Sequence, residues 1–171
     1  KVFSGEGKMA IRIPSWSPQF SLFINSELLS CTPQKGYIYL NISSNDTIKL
    51  CLNSQPYYIY ASPRIPKLTH HVALCLGPLV YCFEGIDNDD DILSLALNPN
   101  APLKVLDFTP YELGGTTKIM ASALRIQSSE ALYTTTPPSY KSCLALAIPY
   151  YTWCNRGETQ MRVWMNIFDT I

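Results

Sequence analysis

Charge is scarce in this chain. Asp, Glu, Lys and Arg make up 15% of its 171 residues, against roughly 25% in ordinary soluble domains. The 13 basic and 13 acidic residues cancel, and no Lys/Arg cluster forms. That excludes the electrostatic footprint of a nucleic-acid binder and the basic amphipathic helix of a membrane-surface protein. No apolar run approaches the roughly 18 residues of a spanning helix. Histidine occurs only as the adjacent His70 and His71. Neighbours in a strand point to opposite faces, so at most one of them could serve a given site. No Gly-x-Ser-x-Gly elbow is present, which leaves a serine triad without its usual scaffold. Cys-x-x-Cys pairs are also missing, and the cysteine spacings lack the short-range regularity of a zinc site. There is no internal repeat and no low-complexity tract. The opening Lys1-Val2-Phe3-Ser4-Gly5 carries neither an initiator Met nor a signal peptide and reads as a chain entered midway.

What is present is apolar. Hydrophobic residues make up 47% of the chain. So uncharged a surface is either covered by another domain or subunit, or built from Ser, Thr, Asn and Tyr. Of six cysteines, Cys51, Cys75, Cys82 and Cys143 sit inside apolar runs, as small core thiols do. Free thiols in a reducing cytoplasm are the favoured reading, with a disulfide-bearing secreted domain as the alternative. Asn41-Ile42-Ser43 and Asn45-Asp46-Thr47 match the glycosylation triplet, a match that chance supplies in a chain rich in Asn and Ser.

The hydrophobic period is two almost everywhere. Met9, Ile11 and Ile13 share one face, with Lys8 and Arg12 on the other. Ile38, Leu40 and Ile42 share a face, Ser43-Ser44-Asn45-Asp46 supply turn chemistry, and Ile48, Leu50 and Leu52 share a face again. This pattern predicts a hairpin with Tyr37 and Tyr39 on its opposite side. VALCLGPLVYCFE reads as two buried strands jointed at Gly77-Pro78. KIMASALRI and SCLALAIPYYTW are further strands, and PYYTWCNRGETQMRVW reads as a hairpin around residues 155–159. No window holds a 3.6-residue period over ten residues, and 13 prolines argue against helices. The expected class is all-β, as two small antiparallel β-sandwich domains of jelly-roll or immunoglobulin-like kind. Their boundary is placed at the proline-punctuated connector of residues 61–66. The first domain is then residues 1–66 and the second 67–171, with the last strands, about residues 150–171, packing back on the first. Residues 87–117 are expected to be mostly loop.

Several groups invite a chemical reading. Asp87-Asn88-Asp89-Asp90-Asp91 resembles half a calcium loop. Ile92 stands where the loop glycine belongs and Asn98 where the closing glutamate belongs, so it reads as a solvated acidic turn. Glu84, Glu112, Glu130 and Glu158 could supply the carboxylate pair of a glycosidase, but no two can be placed across a cleft, and each reads first as a surface or strand-end group. Tyr57, Tyr58 and Tyr60, and again Tyr150, Tyr151 and Trp153, could form a sugar-stacking platform or fill a core or interface. Arg156 could pair with a carboxylate or stack on a ring. Tyr150, Tyr151, Trp153 and Arg156 are therefore the candidate carbohydrate or interface contacts.

Four segments together carry a family resemblance. They are Ile11-Arg12-Ile13-Pro14-Ser15-Trp16 followed by Phe23-Ile24-Asn25; the turn at Gly36-Tyr37; Val72-Ala73-Leu74 leading to Gly77-Pro78-Leu79-Val80-Tyr81-Cys82-Phe83-Glu84; and Pro149-Tyr150-Tyr151-Thr152-Trp153-Cys154-Asn155-Arg156-Gly157 closing in Met161-Arg162-Val163-Trp164. In order and spacing they span nearly the whole chain, which resembles the C-terminal portion of glycoside hydrolase family 127, the β-L-arabinofuranosidase family. Members usually carry a tryptophan and Gly-Asp ahead of the strand that begins here at Ile48, where this chain has Ser43-Ser44-Asn45-Asp46. The resemblance implies an upstream helical (α/α)6 barrel holding a cysteine nucleophile, a glutamate acid/base and a thiolate-bound zinc. No residue of this chain matches those motifs, so no catalytic, metal or cofactor role transfers to it. What the resemblance leaves is a pair of β-sandwiches, the first missing its opening strands. They would brace the barrel and support assembly, including a homodimer, with carbohydrate binding as the alternative role.

Overall fold

The computed structural model describes residues 1–127 and 131–168. It is all-β, and among the described residues the only helical elements are three short 3-10 turns. The chain divides into two compact units, Lys1–Gln55 and Pro56–Ile171.

The first unit contains β1 (Gly7–Arg12), β2 (Phe20–Ile24), β3 (Glu27–Leu29), β4 (Tyr37–Ile42) and β5 (Ile48–Leu52). β1 pairs with β4 in one sheet, and β3, β2 and β5 line up in another. Ile38 and Leu40 from the first sheet meet Leu22 from the second in one core, with Ile11, Ile48 and Leu50 packed around them. The period-two pattern thus does what it predicts face by face, and Tyr37 and Tyr39 lie exposed on the far side. β4 and β5, however, are not a hairpin. β4 pairs with β1 and β5 with β2, so the turn after Ile42 is an arch between two layers. An arch lets two apolar faces meet across a core, whereas a hairpin would set them side by side in one sheet. Asp46 fastens the arch, accepting from Asn25 Nδ2 at 2.8 Å and from the Ser43 N–H at 2.7 Å. Those two bonds, the first above all, hold its carboxyl below the usual range. Asn25 and Ser26, both at positive φ, make the two-residue turn that joins β2 to β3.

The second unit contains β6 (Pro56–Tyr60), β7 (His71–Leu76), β8 (Leu79–Glu84), β9 (Leu95–Leu97), β10 (Lys104–Val105), β11 (Ile119–Ile126), β12 (Tyr140–Pro149), β13 (Met161–Arg162) and β14 (Trp164–Ile167). β6 is hydrogen-bonded along β7, from Pro56 opposite Leu76 to Tyr60 opposite Val72. The division of the chain therefore falls ahead of β6, not at the proline connector of residues 61–66. β7 and β8 form the expected hairpin at Gly77-Pro78, with Gly77 at φ 55. Around the sheet β8, β12, β11, β9, β14 and β7 pair in turn, and β7 returns to β8, so the pairings close on themselves. β14 lies parallel to β9 and antiparallel to β7. The last strands are thereby built into the second unit's own sheet.

The enclosed core holds Val72, Leu74, Tyr81, Phe83, Leu95, Leu97, Ile119 and Met165. Beside the large rings from β8, strands β11 and β12 contribute mainly alanines to this core, with Ala121 directly across from Ala145 and Ile119 the one large side chain from β11. Small residues on two strands leave room for Tyr81 and Phe83. Residues 87–117 are mostly irregular, as the polar sequence predicts, apart from β10 and the fully buried β9 between β11 and β14.

Candidate functional site: the Arg156 clamp and its aromatic loop

β8 ends in Glu84, directly before a 3-10 turn, Gly85–Asp87. β12 ends in Pro149, directly before another, Tyr150–Thr152. The hairpin predicted around residues 155–159 is not formed. β13 pairs with β8, Met161 opposite Glu84, and β8 stands between β13 and β12. Both are antiparallel to β8 and hence parallel to each other, so no tight turn can join them. Residues 150–160 instead cross from one side of β8 to the other as a strap.

Arg156 pins the strap down. Its Nη2 donates to Glu84 Oε2 at 2.5 Å and also to Asp87 Oδ2, while Nη1 donates to Asp87 Oδ1 at 2.8 Å. The other Glu84 oxygen accepts the Cys154 N–H at 2.6 Å. Glu84, which sequence reasoning reads as a surface or strand-end carboxylate, does close its strand but is only 1% exposed. Hydrogen bonds to Asp87, and then to Glu84, raise the Arg156 pKa against the opposing effect of burial. The clamp's cation is therefore permanent. Glu112 stands 4.0 Å from Arg156 and pairs with Lys118 at 2.5 Å. Nearby Cys82 has its thiol pushed up to about 12, by burial first and then by the Glu84 charge.

The run from Asp87 to Asp91 is the expected solvated turn at Asp89, Asp90 and Asp91, which are exposed, whereas Asp87 and Asn88 turn inward. Asp87 is 12% exposed and bound to Arg156. Asn88 is buried, donating to the carbonyls of Glu84 and Leu146 at 2.7 and 3.0 Å and accepting the Leu146 N–H at 2.9 Å. It stitches the turn to β12. Arg125 gathers Asp89 at 3.1 Å and the Asp91 and Asn88 carbonyls at 2.7 and 3.0 Å. Asp87 is thus taken up by the structure, while Asp89 and Asp91 meet Arg125 from the solvent side. Sequence reasoning missed Glu84, Asp87 and Asn88 as one cluster. The available signal was Glu84 itself, which continues the register of a strand buried on both faces.

Of the remaining candidates, Glu158 is exposed in the strap, and Glu130 lies outside the described residues. His71 engages the Thr69 carbonyl through Nδ1 at 2.8 Å. All six cysteines are free. Among the described residues no three His, Cys, Asp or Glu side chains converge in a way that could hold a metal. Two open depressions in the first unit, of about 370 and 240 Å³, are lined by Gln19, Phe20 and Cys51 and by Phe23, Thr47 and Lys49. Neither gathers a reactive set.

The aromatic groups separate clearly. Tyr58 packs against the core, and Tyr57 donates to the Gly77 carbonyl at 3.1 Å. Tyr150, Tyr151 and Trp153 lie in the strap rather than in a strand, and all three are exposed. The Tyr150 and Trp153 rings stack at 6.4 Å between centroids, 25° from parallel. Tyr151 reaches the Gly115 carbonyl through its hydroxyl at 3.4 Å. The site thus combines a buried ionic clamp with an exposed aromatic surface.

The profile of the glycoside hydrolase family 127 C-terminal domain matches residues 56–166, starting where the second unit starts. The chain belongs to glycoside hydrolase family 127. It is similar to the non-reducing end β-L-arabinofuranosidase of Bifidobacterium longum subsp. longum, at 29% identity over 166 residues, covering 91% of this chain and 25% of that protein. Among solved structures it resembles a family 127 β-L-arabinofuranosidase from Geobacillus stearothermophilus T6, with a TM-score of 0.88 and 35% identity over 97% of this chain and 27% of that one. A second family 127 structure, a β-arabinofuranosidase, matches with a TM-score of 0.86 and 25% identity over 97% of this chain and 29% of its own. The chain therefore spans about a quarter of the length of its family 127 relatives.

Proposed function

We propose that this chain is a non-catalytic β-sandwich region of a family 127 glycosidase, supporting a separate catalytic portion and its assembly. One observation carries the reading. Glu84, the carboxylate buried most deeply among the described residues, has both oxygens committed, one to a backbone N–H and one to a permanent guanidinium. A general acid or base must exchange a proton with substrate, and a carboxylate fixed in this way is held for structure. The relatives' names indicate the parent's reaction, release of a β-L-arabinofuranosyl group. In this reading the reacting groups and the zinc reside in the part of the parent that this chain does not represent. The free thiols favour a reducing compartment such as the cytoplasm.

The test is an assay on an aryl β-L-arabinofuranoside. The 171-residue chain alone is expected to give no turnover above blank, with or without added zinc, and any turnover abolished by Glu84→Gln overturns the reading. Adding the chain to the parent's separately expressed remainder should restore activity and raise the sedimenting mass. A remainder that is fully active alone would remove the supporting role.

A further inference from the structure

The clamp described above is an expensive way to hold a surface loop. A buried ion pair contributes little net stability over an apolar replacement, but it does fix geometry. What it fixes is the strap, and the strap presents the stacked Tyr150 and Trp153, 43% and 39% exposed, with Tyr151 beside them. Further bonds set this stretch: Thr152 Oγ1 donates to the Pro149 carbonyl at 2.6 Å, and Asn155 Nδ2 to the Thr152 carbonyl at 3.0 Å. The aromatic surface is therefore rigid before any partner arrives, which lowers the entropy cost of binding.

Its chemistry narrows the occupant. Residues 150–155, Tyr-Tyr-Thr-Trp-Cys-Asn, carry no charged side chain, and the charge of the following Arg156 is taken up by Glu84 and Asp87. The surface offers no countercharge to a phosphate, a carboxylate or a basic peptide. The Tyr150 hydroxyl and the Trp153 indole N–H carry no hydrogen bond to any described residue. Flat π faces with free donors at their rims suit a ligand that is uncharged, has C–H faces and is rich in hydroxyls. We propose that Tyr150 and Trp153 form a binding platform for neutral carbohydrate, stacking on the sugar's C–H face while the two ring donors take its hydroxyls, with Arg156 as the positioning residue. This goes beyond the supporting role, and each can fail without the other, since one is read by catalysis and the other by binding.

The experiment titrates the chain with neutral arabino-, xylo- and gluco-oligosaccharides, followed by saturation-transfer NMR and calorimetry. Saturable binding of at least one series is expected. Trp153→Ala and Tyr150→Ala should each weaken it by roughly tenfold or more, corresponding to about 1.4 kcal/mol, at unchanged melting temperature. Trp153→Phe, which keeps a stacking ring, should retain most of the affinity. Tyr140→Ala, at an exposed ring at the other end of β12 from the strap, should change nothing. Three outcomes overturn the proposal. They are no saturable binding by any series, binding indifferent to Trp153→Ala, and loss of self-association in that variant without sugar binding, which would give the patch to a protein contact.

Discussion

Arg156 shows how much one residue decides here. Removing it leaves Glu84 charged in a site only 1% exposed and Asp87 without its main partner. Breaking one side of a buried pair costs about 3 to 5 kcal/mol, because the orphaned charge stays behind. Arg156→Ala should therefore lower the urea midpoint strongly. Glu84→Gln in the same background should recover part of the loss, since it removes the orphan. A double-mutant cycle reads this directly, and additive losses would refute the clamp. Arg156→Lys should also fall short, because one ammonium cannot reproduce the forked contacts to two carboxylates.

At the scale of an element, the strap depends on a close fit at Gly85. A Cβ there would lie 2.7 Å from Thr159 Oγ1 and 3.1 Å from Asp90 Oδ1. Thr159 Oγ1 accepts the Ile86 N–H at 2.9 Å, and the Gly85 N–H donates to the Gln160 carbonyl at 2.8 Å. Gly85→Ala must push the strap's return away from the 3-10 turn, an overpacking that costs about 1 to 3 kcal/mol. The expected result is a lower melting temperature together with faster amide exchange at Ile86, while the β1 and β4 amides of the first unit exchange as before. Uniform acceleration throughout the chain would contradict a local role for this contact.

For the second unit as a whole, stability is tied to the closed sheet and its enclosed rings. Tyr81 is fully buried, donates its hydroxyl to the Thr117 carbonyl at 2.9 Å, and has its pKa raised to about 12 by burial first. In the unfolded chain a tyrosine ionises near 10. Between those values the folded state keeps a proton that the unfolded state has released, so stability is fully present below about pH 10 and falls as pH rises toward 12. The loss from Tyr81 alone is about 3 kcal/mol. Tyr81→Phe gives up the hydrogen bond at neutral pH but should make this alkaline limb shallower, leaving the shares of Tyr58 and Cys82, both also raised to about 12 by burial first. Denaturant melts from pH 8 to 12 would show it, and an unchanged slope in the variant would place the loss elsewhere.

The sequence alone determined whatever rests on the strand period. The all-β class follows from it, as do the inward faces of β1 and β4, the Gly77-Pro78 hairpin and the exposure of Tyr37 and Tyr39, because alternation is a local property of a pleated chain. Family membership was legible for a similar reason, in short motifs kept in order. Tertiary structure decided which strands pair. β4 and β5 look like a hairpin and belong to different sheets, and β12 and β13 look like another but have β8 between them. Strand pairing is a non-local choice that alternation leaves open. The same holds for the site. Arg156 lies 69 positions from Asp87 and 72 from Glu84 in the chain, and only the closed sheet brings the carboxylates under the strap that carries the cation.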